Sequence, residues 1–478
     1  MTGTRRWTLL VVCLATGVLL LNVAAPNVAL PEIGRDLAAD LPTLQWVVSG
    51  YALALAATLL TGGTLADLFG RRRVFLAGLA GFAAASAACA LAPTALTLVV
   101  GRAAQGLAAA VLLSSSLALL AQDFAGSDRA RALGLWAATV AVAFAVGPLE
   151  GGILTEALGW RAIFAVDVAV ALPCLPLAVR HLRESRDPNA STVDWRGTAT
   201  WSVGLFLGVF ALIRGGVVGW GSTVILASAA GAAALLAAFV VVERRERYPM
   251  LDLGLFATPT FAGASLAVLI MAGASFGPFV YLTLFLLDAG ASPTEVGLQL
   301  MPLSAAAFVV SVLGGSFATR LPVRASLPAG LLLVAAGLLA MRGLEASSPW
   351  THLLPGLLLT GMGLGLANPA VTFAALGVVP TTRSGMASGV NNTFRQVGIA
   401  VGIAALGTLL PARATGHAAA FAAALDDMLV ASAAAVAAGA VIAVLLVRPR
   451  DFVAEPLPAA AAATGPAGPA PQPQARER

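Results

Sequence analysis

Lysine is missing from this chain: all 28 of its basic residues are arginine. A phosphate-binding loop of the P-loop type needs its lysine, so the absence argues against an ATP-driven machine working through this chain alone. Charge of either sign is scarce. Charged residues make up 11% of 478, against roughly 25% in soluble globular domains. So few charges cannot cover a surface that faces water, and lipid is the solvent that remains. Cysteine and histidine are sparse too, with three of each. Cys13, Cys89 and Cys174 fall inside apolar stretches, and His181, His352 and His417 stand apart from them and from one another. Such spacing offers neither a metal site nor a redox pair, so no cofactor is expected. With aromatic residues at 6%, a cavity walled by rings to take flat cations is not expected; Trp46, Tyr51, Phe144 and Phe394 are the aromatic candidates for its lining. The net charge of +5 is spread over short loops and is no nucleic-acid footprint.

What is present is apolar: 59% of the residues are hydrophobic. A helix crosses a bilayer with about 20 mostly apolar residues, and about fourteen segments of this kind follow one another. They lie near 7–29, 45–65, 74–93, 97–121, 131–153, 162–179, 197–214, 222–242, 260–286, 295–317, 325–342, 352–373, 385–410 and 420–447. Arg5 and Arg6 precede the first, as in a signal peptide, but the apolar run continues through Asn22 towards Pro31 with no cleavage site in view, which predicts a retained helix. The fold class expected is an all-α polytopic membrane protein. Many of the segments carry repeated Gly and Ala, which lets backbones approach closely in lipid.

The arginines alternate between loops. Arg5, Arg6, Arg71 to Arg73, Arg129, Arg131, Arg180 to Arg196, Arg244 to Arg247, Arg320, Arg324, Arg383 and those of the tail share one side. Only Arg35, Arg161, Arg214, Arg342 and Arg413 fall on the other. The positive-inside rule then puts both termini in the cytoplasm of a cell-membrane protein. Polar linkers beginning at Arg180 and at Glu243 divide the chain into a six-helix unit (1–180), linkers with two central helices (181–257), a second six-helix unit (258–447) and a Pro/Ala-rich tail (448–478) expected to be disordered.

Between the second and third segments stands "GGTLADLFGRRRVFLAG". Gly63 and Gly70 allow close packing and a turn, and Asp67 can pair with Arg71, so the loop can lock two helices in one conformation and release them in another. The ordered spacing of Gly63, Asp67, Gly70 and Arg71 resembles the loop signature of the major facilitator superfamily. "LVVGRAAQGLAAA" resembles that superfamily's membrane-embedded arginine motif, through Arg102, Gln105 and Gly106. "AVAFAVGPLEGGIL" resembles the glycine–proline motif of its antiporters, through Gly147, Pro148, Gly151 and Gly152. "GWRAIFAVDVAV", "VDWRGTATWSVGL", "YPMLDLGLF" and "SGMASGVNNTFRQVGIAVGIAALGTL" are similar to segments of the fourteen-helix drug:proton antiporter branch. The resemblance implies two six-helix bundles related by pseudo-symmetry, with two extra helices between them. It also implies substrate bound near the midplane and alternating access by rocking.

The residues support such roles on their own chemistry. A charge at mid-bilayer costs at least about 2.5–3.5 kcal/mol, so Arg102 must be paired or face a wet cavity, as a structural pair or as part of proton coupling. Pro148 removes a backbone hydrogen bond and can bend its helix; Gly151 and Gly152 allow another helix to seal against it. In the thirteenth segment Ser388, Asn392 and Arg395 share a face by their spacing. With Asn391 and Gln396 they make a polar stripe that either lines the substrate path or joins the bundles.

The first helix departs from the resembled branch. Asn27, Val28, Ala29, Leu30 and Pro31 match its usual ending, but Asn22 stands where an acid is expected and Ala24 where threonine is. An amide cannot carry a proton. Two carboxylates could replace the missing acid: Glu150, beside the bend in the fifth segment, and Asp167 in the sixth, where the branch more often has Asn. Desolvation makes a carboxyl group hold its proton more readily, as a carrier needs. Asn22, Asn27, Gln105, Asn391, Asn392 and Arg395 are the candidates for the substrate path. The function expected is proton-coupled export of small apolar organic compounds by a non-enzyme, with the substrate, protons and the bilayer as partners and a monomer as the expected state. An uncoupled facilitator, or an exporter of a neutral or anionic solute, is the alternative within transport. A non-transporting sensor or lipid-handling protein is the alternative outside it.

Overall fold

The computed structural model of the chain describes residues 3–124, 126–187, 192–317, 322–345, 348–380, 383–410 and 418–452. The expected sites of Arg320 and Arg413 and most of the Pro/Ala-rich tail lie outside the described residues. Six helices come first: α1 (Gly3–Asp36), α2 (Leu41–Phe69), α3 (Arg71–Ala90), α4 (Ala95–Asp123), α5 (Gly126–Leu158) and α6 (Arg161–His181). A pair follows, α7 (Trp195–Val218) and α8 (Thr223–Arg245). The series ends with α9 (Pro259–Asp288), α10 (Pro293–Phe317), α11 (Val323–Ala340), α12 (Leu354–Leu376), α13 (Ser384–Gly407) and α14 (Ala418–Leu446). No strand occurs among the described residues.

Of these helices 13 are long and apolar enough to cross a membrane. The fourteenth, α13, falls short because Asn391, Asn392, Arg395 and Gln396 dilute its hydropathy. It is nonetheless enclosed over most of its length, with no exposed residue from 387 to 408. Its polar groups face protein rather than lipid.

Helix ends follow local chemistry. Asp40 accepts from the Thr43 amide at 3.1 Å to start α2, with Pro42 in the first turn where no amide donor is needed. Thr94 and Thr97 cap α4 reciprocally, and Asp194 accepts from Gly197 N at 2.7 Å to start α7. Gly70 joins α2 to α3 at φ +104°, a conformation that suits only a residue without a side chain. The prolines within α1 and α5 do not end them: α1 runs through Pro26 and Pro31, and α5 through Pro148.

Two apolar cores organise the bundle. One is built mainly from α1 to α6, the other mainly from α9 to α14. They meet along α2 against α13 and α5 against α10. The pair α7 and α8 packs outside this seam, with α7 on α2 and α13. There the Ser202 hydroxyl donates to Ala57 O at 3.3 Å and the Thr61 and Thr198 hydroxyls lie 2.8 Å apart.

Candidate functional site

Five polar side chains from four helices converge within the first core: Asn22 on α1, Ser86 on α3, Arg102 and Gln105 on α4, and Asp167 on α6. None is more than 4% exposed. Their order is charge, amides, charge. Arg102 gives Nη1 to Asn22 Oδ1 (3.0 Å) and Gln105 Oε1 (2.6 Å), Nη2 to the Asn22 carbonyl (2.9 Å) and Nε to the Val47 carbonyl (2.9 Å). Asp167 receives Asn22 Nδ2 on Oδ1 (2.7 Å) and Gln105 Nε2 on Oδ2 (3.1 Å). Gln105 Nε2 also donates to Ser86 Oγ at 2.8 Å. Both amides thus point oxygen to the cation and nitrogen to the anion. No ion pair joins Arg102 directly to Asp167 among the described residues.

The backbone makes room for this cluster. Gly106, on the next turn of α4, lies so close to α2 that a Cβ there would run into the Tyr51 carbonyl oxygen. Tyr51 is buried, donates to Leu19 O at 2.6 Å and lays its ring under the Arg102 guanidinium at 4.3 Å from the ring centre. The close α2–α4 contact that Gly106 allows is therefore what brings an aromatic face to the arginine. Of the aromatic candidates Tyr51 belongs to this site. Trp46 packs on Phe206 of α7, Phe144 meets Phe276 of α9 across the seam, and Phe394 lies against Phe256.

The remaining candidates fall into three other places. Glu150 is half-buried on α5, and its Oε2 is buried without a hydrogen-bond partner. Asn27 is buried one turn and a half beyond Asn22, with Oδ1 unpartnered. On α13, Asn392 donates to the Ser388 carbonyl at 3.2 Å, Asn391 Nδ2 and Gln396 Oε1 have no partner, and Arg395 donates to Asn368 Oδ1 on α12.

The glycine–proline segment forms a close seam. A Cβ on Gly151 would strike the Ala25 carbonyl of α1, and one on Gly152 the Pro293 carbonyl of α10. One turn further Glu156 accepts from Ser292 Oγ (2.9 Å) and from Thr294 N (3.1 Å), capping α10 from across the seam. At the opposite end of α2, Asp67 and Arg71 pair at 2.8 Å. The polypeptide after α6 docks on this turn: Arg71 N donates to Ser185 O (2.8 Å), Asp187 N to Asp67 O (3.1 Å), and Glu184 accepts from Arg72 N (3.1 Å) and Arg73 N (3.2 Å). Sequence reasoning missed Ser86 and Glu184. The acid in "RESR", just past a helix end, was a usable signal for Glu184; a serine in an apolar helix was none.

A polytopic helical bundle whose ionisable side chains turn inward, away from lipid, is the build of a membrane transporter. The chain belongs to the Major Facilitator Superfamily, whose family profile matches residues 12–403 and 264–471. It is 36% identical over 414 residues to the multidrug resistance protein Stp of Mycobacterium tuberculosis, covering 86% of this chain and 77% of the relative. To the puromycin resistance protein pur8 of Streptomyces alboniger it is 37% identical over 416 residues, 85% and 82% of the two chains. To the tetracenomycin C resistance and export protein of Streptomyces glaucescens it is 34% identical over 412 residues, 86% and 77%. A bacterial homolog of the human lysosomal transporter Spinster, solved inward-facing and unoccupied, shares the fold at TM-score 0.63 and 18% identity, over 95% of this chain and 99% of that one.

Proposed function

We propose that the chain exports small, largely apolar organic compounds across the cell membrane by proton antiport, both termini lying in the cytoplasm. The resistance and export functions in its relatives' names support the direction and the class of cargo. The arginine distribution supports the orientation. The helices before Arg180 and those after Phe256 would rock against each other, with α7 and α8 riding on the seam.

The observation that carries the coupling is the pair of amides between Arg102 and Asp167. Ionised Asp167 holds two N–H donors and so turns both amide oxygens to Arg102. A proton on Asp167 adds a donor that needs an acceptor, and an amide that turns over offers its oxygen. Taking it turns an amide nitrogen towards Arg102, where donor meets donor. Arg102 also grips the backbone of α1 at Asn22 and of α2 at Val47. Protonation at α6 is thereby transmitted to the packing of α1, α2 and α4. Asn22 serves as the switch between two charges, in the place where its resembled branch has an acid. Glu150 is the second candidate carrier.

Energised cells that contain the chain should expel the neutral dye N-phenyl-1-naphthylamine, and a protonophore should stop them. Asp167→Asn should lower the efflux rate at least about tenfold. Efflux that survives both Asp167→Asn and Glu150→Gln, at equal protein levels, would remove the coupling assignment.

A further inference from the structure

We propose that Arg395 is an anion-recognition group, so that the transporter prefers substrates bearing a carboxylate, sulfonate or phenolate on an apolar frame. The inference rests on the export reading above, because it concerns what that pathway selects.

The two arginines set within membrane helices are held differently. Arg102 has four acceptors, an aromatic face and, through two amides, a carboxylate. Arg395 sits midway along α13, and its hydrogen bond among the described residues goes to a neutral amide oxygen, Asn368 Oδ1. A guanidinium has five N–H donors, so most of its capacity is unused. None of the ion pairs among the described residues includes it.

Nor does its own half offer a counter-charge at that depth. The carboxylates of α9 to α14 are Asp288, Glu295, Asp426 and Asp427. They lie at the end where α9 meets α10 and α11 meets α12, with Asp426 accepting from the backbone of Gly343 at 2.9 Å there. Arg395 is half-buried, while no residue of α13 from 387 to 408 is exposed on the outside of the bundle. The helix packs on α9 and α12 of its own half and on α2 across the seam. A charge in a membrane bundle turns to the protein interior, which points the open side of Arg395 to the space between the halves. Asn392 and Ser388, one and two turns away on the same face, continue a polar stripe with no acid in it. A positive charge that is costly to bury, left without an anion by the protein itself, is a site for an anion that comes and goes.

Two dyes of similar aromatic frame and different charge make the test. The full-length protein would be reconstituted in liposomes and its flux of 8-anilino-1-naphthalenesulfonate compared with that of neutral N-phenyl-1-naphthylamine. Arg395→Gln should lower the ratio of sulfonate flux to neutral-dye flux at least about tenfold. Arg395→Lys should recover part of the sulfonate flux. Equal loss of both dyes in Arg395→Gln would assign the residue a structural role and overturn the proposal, as would undiminished sulfonate flux. If the native protein moves neither dye, the export reading itself fails.

Discussion

At the scale of single residues the proposed coupling turns on Asn22. Its amide makes three hydrogen bonds to charged or polar partners that are themselves sealed from water. Removing it leaves Arg102 and Asp167 short of partners, and each unsatisfied buried group costs about 1–3 kcal/mol. Asn22→Ala should therefore lower the thermal midpoint of the detergent-solubilised protein by several degrees, a shift that a fluorescence melt would register. Asn22→Asp should behave differently. It sets two carboxylates within hydrogen-bond reach, one of which must carry a proton while the other pairs with Arg102. That variant should stay folded yet change its proton stoichiometry or pH profile of transport. Unchanged transport in Asn22→Asp would argue that the amide is only packing. Asn22 was legible as a departure from the resembled pattern. Its partners were not, because they stand 80 to 145 positions away and only packing brings them together.

At the scale of elements, close backbone approaches decide which helices move as one. Gly151 and Gly152 face opposite neighbours, α1 and α10, so α5 is clamped between the halves at one end. Gly152→Leu should push α10 away and cut transport by at least about tenfold with little loss of expression, whereas a substitution at Gly134, with open space around it, should be tolerated. Paired measurements of flux and membrane abundance would separate the two. The turn between α2 and α3 is held by Glu184, which serves as the cap that Gly70 cannot provide. Losing a cap costs about 1 kcal/mol. Glu184→Ala should loosen the chain after α6, and trypsin should cut at Arg183 and Arg186 several times faster than in the native protein. Helix positions were readable from hydropathy, most ends to within a few residues, because a bilayer dictates length and apolarity, though α1 runs seven residues past its expected end and α5 five past each of its own. The docking of the linker was not, since a charged segment after a helix reads as solvated until its partners are known.

For the whole molecule, alternating access requires the seam near Glu156 to part and re-form. A disulfide or short bifunctional cross-link between Glu156→Cys and Thr294→Cys should hold that end closed, arrest transport and be reversed by reductant. The native Cys13, Cys89 and Cys174 are unpaired, with Cys13 only half-buried, so the cross-link is read in a background where all three are replaced by serine. Polytopic membership, helix number and the loop and glycine–proline motifs were plain in the sequence, through scarce charge, arginine placement and spacing. The division of labour between Arg102 and Arg395 was not. Both read as costly membrane charges, and only the bonding separates one enclosed by acceptors from one left open.

The most direct test of the central claim, that Asp167 carries the proton and Asn22 and Gln105 pass its charge state to Arg102, is made in liposomes with an internal pH dye. Substrate added to the native protein should move protons in the opposite direction to substrate, and an imposed proton gradient should drive substrate uphill. Asp167→Asn should abolish proton movement while the protein still exchanges substrate down its gradient. Proton movement of native size in Asp167→Asn would contradict the account and pass the role to Glu150 or another group.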